Sequence, residues 1–295
     1  MASPTNNRIA YGVGGCPRDC GGRQRLRTMR SDGSDDRLLT RVDFGCDTPT
    51  DWMGRRVLFV RECGLCRNVH WIGASGGTER QLTQHGPDDD YASRPQWLEG
   101  GRKVAYAEIG YSSPAGIFIT NADGSGKRRL TEDTSVSAPS VSPDGRLIAF
   151  VATRRDRPPD VYVMRADGTH RRRVTDDVRG EGRLQWSPDG QRILFHSVDP
   201  SGGSRIYVVG RDGRGHRRLQ PEGLKSGRDF DPYWSPDGEQ IAFAGERRFY
   251  TPGSGYDLAY ALFVMDAGGT TYRRVTDFEK NLRVWGWEPE AQPSR

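Results

Sequence analysis

The sequence predicts an all-β fold: a six-bladed β-propeller of four-stranded antiparallel blades, its ring closed by the C-terminal strand joining the N-terminal blade. Three observations predict it. A tight-turn motif, Ser-Pro-Asp-Gly, recurs at 142–145, 187–190 and 235–238. An apolar triplet recurs six times, three of them just after this motif, and aromatic anchors fall roughly every 45 residues, the length of a four-stranded blade.

Ser-Pro-Asp-Gly is a turn for physical reasons: Pro presets φ at the second position and Gly takes the left-handed one. The strand that follows reads Ile9-Ala10-Tyr11, Val57-Leu58-Phe59, Val104-Ala105-Tyr106, Ile148-Ala149-Phe150, Ile193-Leu194-Phe195 and Ile241-Ala242-Phe243. A third strand recurs at 26–29, 69–72, 117–120, 161–164, 206–209 and 262–265, each followed by a turn glycine: Gly33, Gly76, Gly124, Gly168, Gly213 or Gly269. Six residues past each glycine stands Leu39, Leu82, Leu130, Val174, Leu219 or Val275, then Thr, replaced once by Gln220. First strands carry Trp52, Trp97, Val141, Trp186, Trp234 and Trp287. The last has no strands after it, whereas the N-terminal strands lack a first strand, so the two ends are expected to complete one blade. Residues 1–295 are expected to form a single domain.

Of 44 basic residues 40 are Arg, since Lys occurs only at 103, 127, 225 and 280; they are interspersed with 39 acids to a net charge of +5. That dispersion reads as a solvated surface, and nucleic acid is set aside as a partner. No stretch approaches the roughly 18 apolar residues of a membrane helix, and a monomeric ring is expected. Met-Ala-Ser-Pro-Thr-Asn-Asn shows neither a basic nor an apolar leader region. The protein is therefore expected to be periplasmic or secreted if the chain starts at a mature N-terminus, and cytoplasmic otherwise.

Strand direction puts the short turns on one face and the irregular loops and blade links on the other. That loop-rich face carries the binding candidates: Tyr111, Arg154, Arg155, Asp176, Asp177, His196, Asp229, Asp231, Arg247, Tyr250 and Tyr256. Tyr250 and Tyr256 sit in the longest loop, 245–261, and are expected to anchor a partner while the aspartates select basic groups. His196 suits a base or ligand as well as a plain strand end. Arg37, Arg80, Arg128, Arg172, Arg217 and Arg273, four residues past each turn glycine, read as a charged outer edge that blocks edge-to-edge pairing. Gly73-Ala74-Ser75-Gly76-Gly77 matches a nucleophile elbow and Gly124-Ser125-Gly126-Lys127 part of a phosphate loop, but both occupy hairpin turns without the strand-to-helix context.

Cys16, Cys20, Cys46, Cys63 and Cys66 converge on one sector. In an oxidising compartment Cys16, Cys20, Cys63 and Cys66 make two disulfides with Cys46 left over; in the cytosol the same spacing suits zinc. The disulfide reading is taken, with zinc the lesser alternative.

"WSPDG" turns followed by "IYVM.ADG...RRLT" strands resemble the TolB-like propeller repeat, most clearly over Pro139 to Thr276. The resemblance implies a propeller, and export, since such propellers are typically exported; it specifies fold more than activity. The function expected is a non-catalytic module recognising a protein or peptide through the loop-rich face and channel mouth, with no cofactor. The alternative is a metal-dependent hydrolase or lyase with a divalent cation in the channel.

Deleting Asn281 to Arg295 is expected to open the ring and to cost several kcal/mol, a large share of a typical domain's stability. A truncated chain that melts at the parent temperature refutes this closure.

Overall fold

The computed structural model describes residues 8–13, 23–30, 33–41, 45–63, 66–86, 91–110, 115–132, 135–154, 157–176, 183–199, 202–221, 228–251 and 255–277. The C-terminal strand expected to close the ring lies outside them. Among the described residues there are strands and a single turn of 3-10 helix at Glu99–Gly101, and no α-helix. Four of the sheets are four-stranded and antiparallel, opened by the strands Tyr91–Leu98, Ser135–Val141, Gln185–Trp186 and Arg228–Trp234. The remaining sheet joins Arg8–Val13, Arg23–Arg30 and Arg37–Leu38 to the four strands between Gly45 and Gln81, through a parallel pairing that sets Gln24 opposite Cys46.

Five blades are each built round one cross-strand pair of rings; in the N-terminal strands Tyr11 stands opposite Arg27 instead. Phe59, Tyr106, Phe150, Phe195 and Phe243 are fully buried. They stand in register with His70, Phe118, Tyr162, Tyr207 and Phe263 and stack on them at centroid distances of 5.4 to 5.9 Å. Such pairs add to the apolar burial of both rings. Cations cap several of them: Arg171 lies 4.2 Å from the Tyr162 centroid and Arg247 4.9 Å from that of Phe263.

The core lies between sheets. Period-2 alternation sends Ile148, Phe150 and Ala152 back onto Ile117 and Ile119 of the preceding blade. Ala149 and Val151 face forward onto Trp186 and Ile193. Both faces are therefore covered, which is why the strands read as continuous apolar runs.

The conserved spacing within the repeat has a physical account at each position. Thr40, Thr83, Thr131, Thr175 and Thr276 accept, through Oγ1, the N–H of the third strand fourteen residues earlier, at 2.8 to 3.0 Å. Fourth strands have only two or three residues, so the hydroxyl replaces a missing ladder bond. In the Ser-Pro-Asp-Gly turns, Ser187 Oγ donates to Asp189 Oδ1 at 2.5 Å and accepts the N–H of Arg192 at 2.9 Å, and Ser142 and Ser235 do the same.

The turn glycines serve two purposes at once. Gly168 and Gly269 have φ of +87° and +69°, and a Cβ there would sit 3.2 and 3.0 Å from Leu130 and Leu219 of the blade before. The arginines expected as a charged edge reach the same neighbouring turns: Arg128 donates to Asp167 O at 3.1 Å, Arg217 to Gly268 O at 2.9 Å, and Arg172 to Arg211 O. They tie blades together as well as line an edge.

Inner strands are stitched similarly. Gln96 Oε1 accepts the N–H of Val141 in the next blade at 2.6 Å. Asp51 accepts the N–H of Trp52 at 2.8 Å and, across the blade boundary, that of Trp97 at 2.7 Å. Burial pushes the Asp51 carboxyl up from 3.8 to about 6, against those two backbone bonds. A raised folded-state pKa means that the fold favours the protonated form, so this contribution is complete below about 4 and is lost as pH rises through about 6. The expected outcome is a melting-temperature gap between parent and Asp51→Asn that narrows from pH 4 to pH 7. A gap independent of pH over that range counts against the assignment.

Candidate functional site

The inner strands surround a cavity of about 610 Å³, the central channel. Ala10, Tyr11 and Gln24 contribute from the N-terminal strands; Thr48, Pro49 and Thr50, then Arg94, Pro95 and Gln96, from the next two blades. Pro139, then Arg183, Leu184 and Gln185, and finally Tyr233 complete the wall.

Proline explains how these side chains are aimed. A residue without an N–H cannot hold a ladder position in mid-strand and is accommodated at a bulge. The inner strands shift register between Pro49 and Asp51, Ser93 and Gln96, Ser137 and Ser140, and Phe230 and Tyr233, each interval starting at or containing a proline. Two residues beside those prolines, Arg94 and Asp231, take φ of +50° and +48°, unusual for side chains of this kind. Pro49, Arg94 and Arg183, each three before a tryptophan, line the cavity.

Five side chains influence one another electrostatically, and three of them, Arg94, Arg183 and Tyr233, line the cavity. Arg183 Nη1 donates to the Tyr233 hydroxyl at 2.5 Å. Burial raises the Tyr233 pKa, with Arg183 lowering and Asp231 raising it further, and Arg94 also acting on it. His196 is pushed below its ordinary 6.5 by burial, opposed by Asp231 and assisted by Arg94, so it is neutral at pH 7. Its Nδ1 is buried with no hydrogen-bond partner among the described residues.

Of the sequence candidates, His196 and Asp231 interact electrostatically, but neither lines the cavity. Asp229 and Arg247 do not face solvent. They are 5 % and 8 % exposed and pair at 3.1 Å. Asp176 is exposed and pairs with Arg173 at 2.5 Å. Tyr111, Arg155 and Asp177 lie outside the described residues, and only backbone is described at Arg154, Tyr250 and Tyr256. The expected loop at 245–261 is largely a hairpin of two twelve-residue strands, Gln240–Thr251 and Gly255–Asp266, with Tyr250 opposite Tyr256. The aromatic-rich runs either side of Thr251-Pro252-Gly253-Ser254-Gly255 carry that signal.

Both motif-like glycine segments are turns, as expected: Gly76 N–H donates to Gly73 O at 2.9 Å, and Lys127 pairs with Glu108 at 2.8 Å. Among the described residues no three His, Cys, Asp or Glu side chains gather as a metal set. Cys46 and Cys66 are each disulfide-bonded and buried. This corrects the expectation that Cys46 is the unpaired thiol: its strand runs parallel to Arg23–Arg30, which brings it beside the segment that follows Cys20. Cys16 and Cys20 lie outside the described residues, and of Cys63 only the backbone is described. Sequence reasoning missed Arg94, Arg183 and Tyr233. Their signal was positional: each stands three or one before an inner-strand tryptophan.

A family model described as the TolB beta propeller domain matches residues 88–249. Among solved structures, the putative TolB from Agrobacterium tumefaciens matches with a TM-score of 0.58 at 21% identity, over 81% of this chain and 83% of that one. TolB from Acinetobacter baumannii matches with 0.54 at 18% identity, over 92% and 69%. An oligogalacturonate lyase in complex with manganese matches with 0.62 at 15% identity, over 92% and 74%. At these identities the likeness is one of fold. No curated protein matches the chain in sequence.

Replacing Asp229 by Ala leaves the Arg247 guanidinium buried against Phe263 without its carboxylate. The expected cost is about 3–5 kcal/mol in denaturant unfolding, the usual penalty for stranding one member of a buried pair. A loss below about 1 kcal/mol would mean that the pair is solvated in solution.

Proposed function

Because the chain belongs to the TolB beta propeller domain family, we propose that it is a non-catalytic binding module that takes a protein or peptide segment at the mouth of its central channel. In this reading residues 1–295 form one six-bladed ring, closed by its C-terminal strand, in an exported protein whose cysteine sector is held by disulfides. The observation that carries the reading is the channel cavity of about 610 Å³, whose wall comes from successive inner strands and combines prolines and Leu184 with amides and hydroxyls. Such a wall suits an extended segment: apolar surfaces take its side chains, and Gln24, Gln96, Gln185 and Thr50 face its peptide groups. The hairpin Gln240–Thr251 and Gly255–Asp266 extends from the same ring. Tyr250 and Tyr256 on it are proposed as rim anchors, since aromatic side chains supply much contact area for little lost freedom.

A second reading, an enzyme working in the channel, is favoured by His196, whose buried Nδ1 lacks a partner among the described residues. The similarity in fold to a lyase seen with manganese is compatible with it. Under this reading His196 is the base or ligand.

The test is a displayed peptide library panned against the immobilised protein. Tyr250→Ala or Tyr256→Ala is expected to weaken selected binders with the melting temperature almost unchanged. Trp186→Ala or Trp234→Ala lowers stability itself by about 3–5 kcal/mol. Turnover of esters, lactones or glycans with added divalent ions that disappears on His196→Ala, with no peptide enriched, replaces the module by the channel enzyme.

A further inference from the structure

We propose that two copies of this chain pair edge to edge through the strand Gly255–Asp266, joining their hairpins into one four-stranded antiparallel sheet about a two-fold axis at Leu258. This replaces the monomer expected from the sequence and does not depend on the binding-module reading.

The argument begins with the length of the hairpin. Its strands, Gln240–Thr251 and Gly255–Asp266, have twelve residues each, whereas the corresponding strands of the blade before have seven each. The excess is about 16 Å of strand, at about 3.3 Å per residue. Neither neighbouring strand follows it. The first strand of the blade pairs no further than Arg228 opposite Glu246, and the fourth pairs only from Phe263 onward. Among the described residues this arm is therefore two strands wide. A two-stranded ribbon is marginal in water until further strands or packing join it.

The backbone groups on the outer edge of the arm follow from Leu262. Its N–H donates to Thr276 Oγ1 at 3.0 Å and its C=O accepts the N–H of Val275 at 2.8 Å, so both groups point away from Gln240–Thr251. The period of two gives the N–H and C=O of Tyr260, Leu258 and Tyr256 the same direction. Past the end of the fourth strand, no described strand receives them. Elsewhere the ring blunts its outer edge with arginine-bearing strands of two or three residues. Gly255-Tyr256-Asp257-Leu258-Ala259-Tyr260-Ala261 is longer and holds no Lys, Arg or Pro, residues that commonly keep an edge from pairing.

Any extended chain can add to a free edge, but this edge is matched to itself. Leu258 is the middle of the open stretch 255–261. In an antiparallel pairing centred there, Leu258 stands opposite Leu258 of the partner subunit, Tyr256 opposite Tyr260 of the partner subunit, and Gly255 opposite Ala261 of the partner subunit. Aromatic residues opposite one another are favourable cross-strand pairs. The single acid, Asp257, falls opposite Ala259 of the partner subunit, whereas a register centred on Asp257 would set two carboxylates against each other. The same centring gives every outward N–H and C=O of Tyr256, Leu258 and Tyr260 a partner in the other copy. Such a contact uses one patch on both copies and closes at two. It consumes an edge of the sheet and leaves its faces to the proposed anchors.

The experiment measures the mass of the full chain in solution by sedimentation equilibrium over a range of concentrations, with melting temperature as the folding control. The parent is expected to dimerise. Leu258→Lys and Leu258→Glu should each weaken dimerisation about tenfold or more, because each places like charges opposite at the axis. An equal mixture of the two variants should dimerise again, with Lys opposite Glu. A parent monomeric at every concentration overturns the proposal, as does a dimer that both substitutions leave intact. Failure of the mixture to recover overturns the register and the proposal with it. A monomer whose edge instead captures extended peptides, with capture lost on Leu258→Pro, gives the edge to another occupant and likewise overturns the second copy.

Discussion

The interlock between successive blades is the constraint from which the rest of the structure follows. At Gly124, Gly168, Gly213 and Gly269 the turn after the third strand lies over the fourth-strand apolar residue of the blade before. The contact is close enough that Gly168 and Gly269 would bring a Cβ to 3.2 and 3.0 Å of Leu130 and Leu219. Fourth strands only two or three residues long would be poor edges by themselves. They persist because a threonine hydroxyl completes their ladder and an arginine from them reaches the next turn's carbonyl. Glycine, arginine, leucine or valine, and threonine recur at fixed offsets because each occupies one place in that joint.

With blades fixed in this way, the inner strands have no freedom to close upon one another, and a cavity is left on the axis. Their prolines then matter twice: they break the ladder locally, and the resulting bulges swing neighbouring residues out of the sheet. Arg94 and Asp231 are held at positive φ by this arrangement, a conformation that persists only where surrounding structure determines it. The same packing drives charges near the outer ends of the blades into buried pairs. Arg61 is the fullest case: it joins Asp47 at 2.7 Å and Glu79 at 2.6 Å, and His70 meets Glu79 at 2.8 Å. Burial alone would raise the Glu79 carboxyl, but the bonds from His70 and Arg61 outweigh it and hold it at about 2.

Residues whose partners lie within one blade were legible in the sequence. Trp186-Ser187-Pro188-Asp189-Gly190 reads as a turn since Pro, Asp and Gly each impose a local backbone preference, and Ile193-Leu194-Phe195 reads as a strand since its period is two. The misreadings have equally definite causes. Residues 245–261 read as a loop because Gly245 and the polar residues after it interrupt the alternation, although the strands continue for twelve residues each. Asp229 and Arg247 read as surface charges because nothing local says that the two side chains pair across adjacent strands. Cys46 reads as unpaired when thiols are grouped by loop, whereas it is strand adjacency that decides its surroundings.

The sequence by itself therefore determined the repeat, the strand order within each blade, the turn chemistry and the family. All of these rest on contacts between residues a few positions apart or on spacing repeated round the chain. Only the tertiary structure decided the channel's chemistry. Arg94, Arg183, His196, Asp231 and Tyr233 come from three different sheets. What each faces depends on how far the intervening blades rotate and where each inner strand bulges. Charge on an isolated strand is indifferent to such geometry. Charge brought together by the ring is not: there Arg94, Arg183 and Asp231 all act on Tyr233.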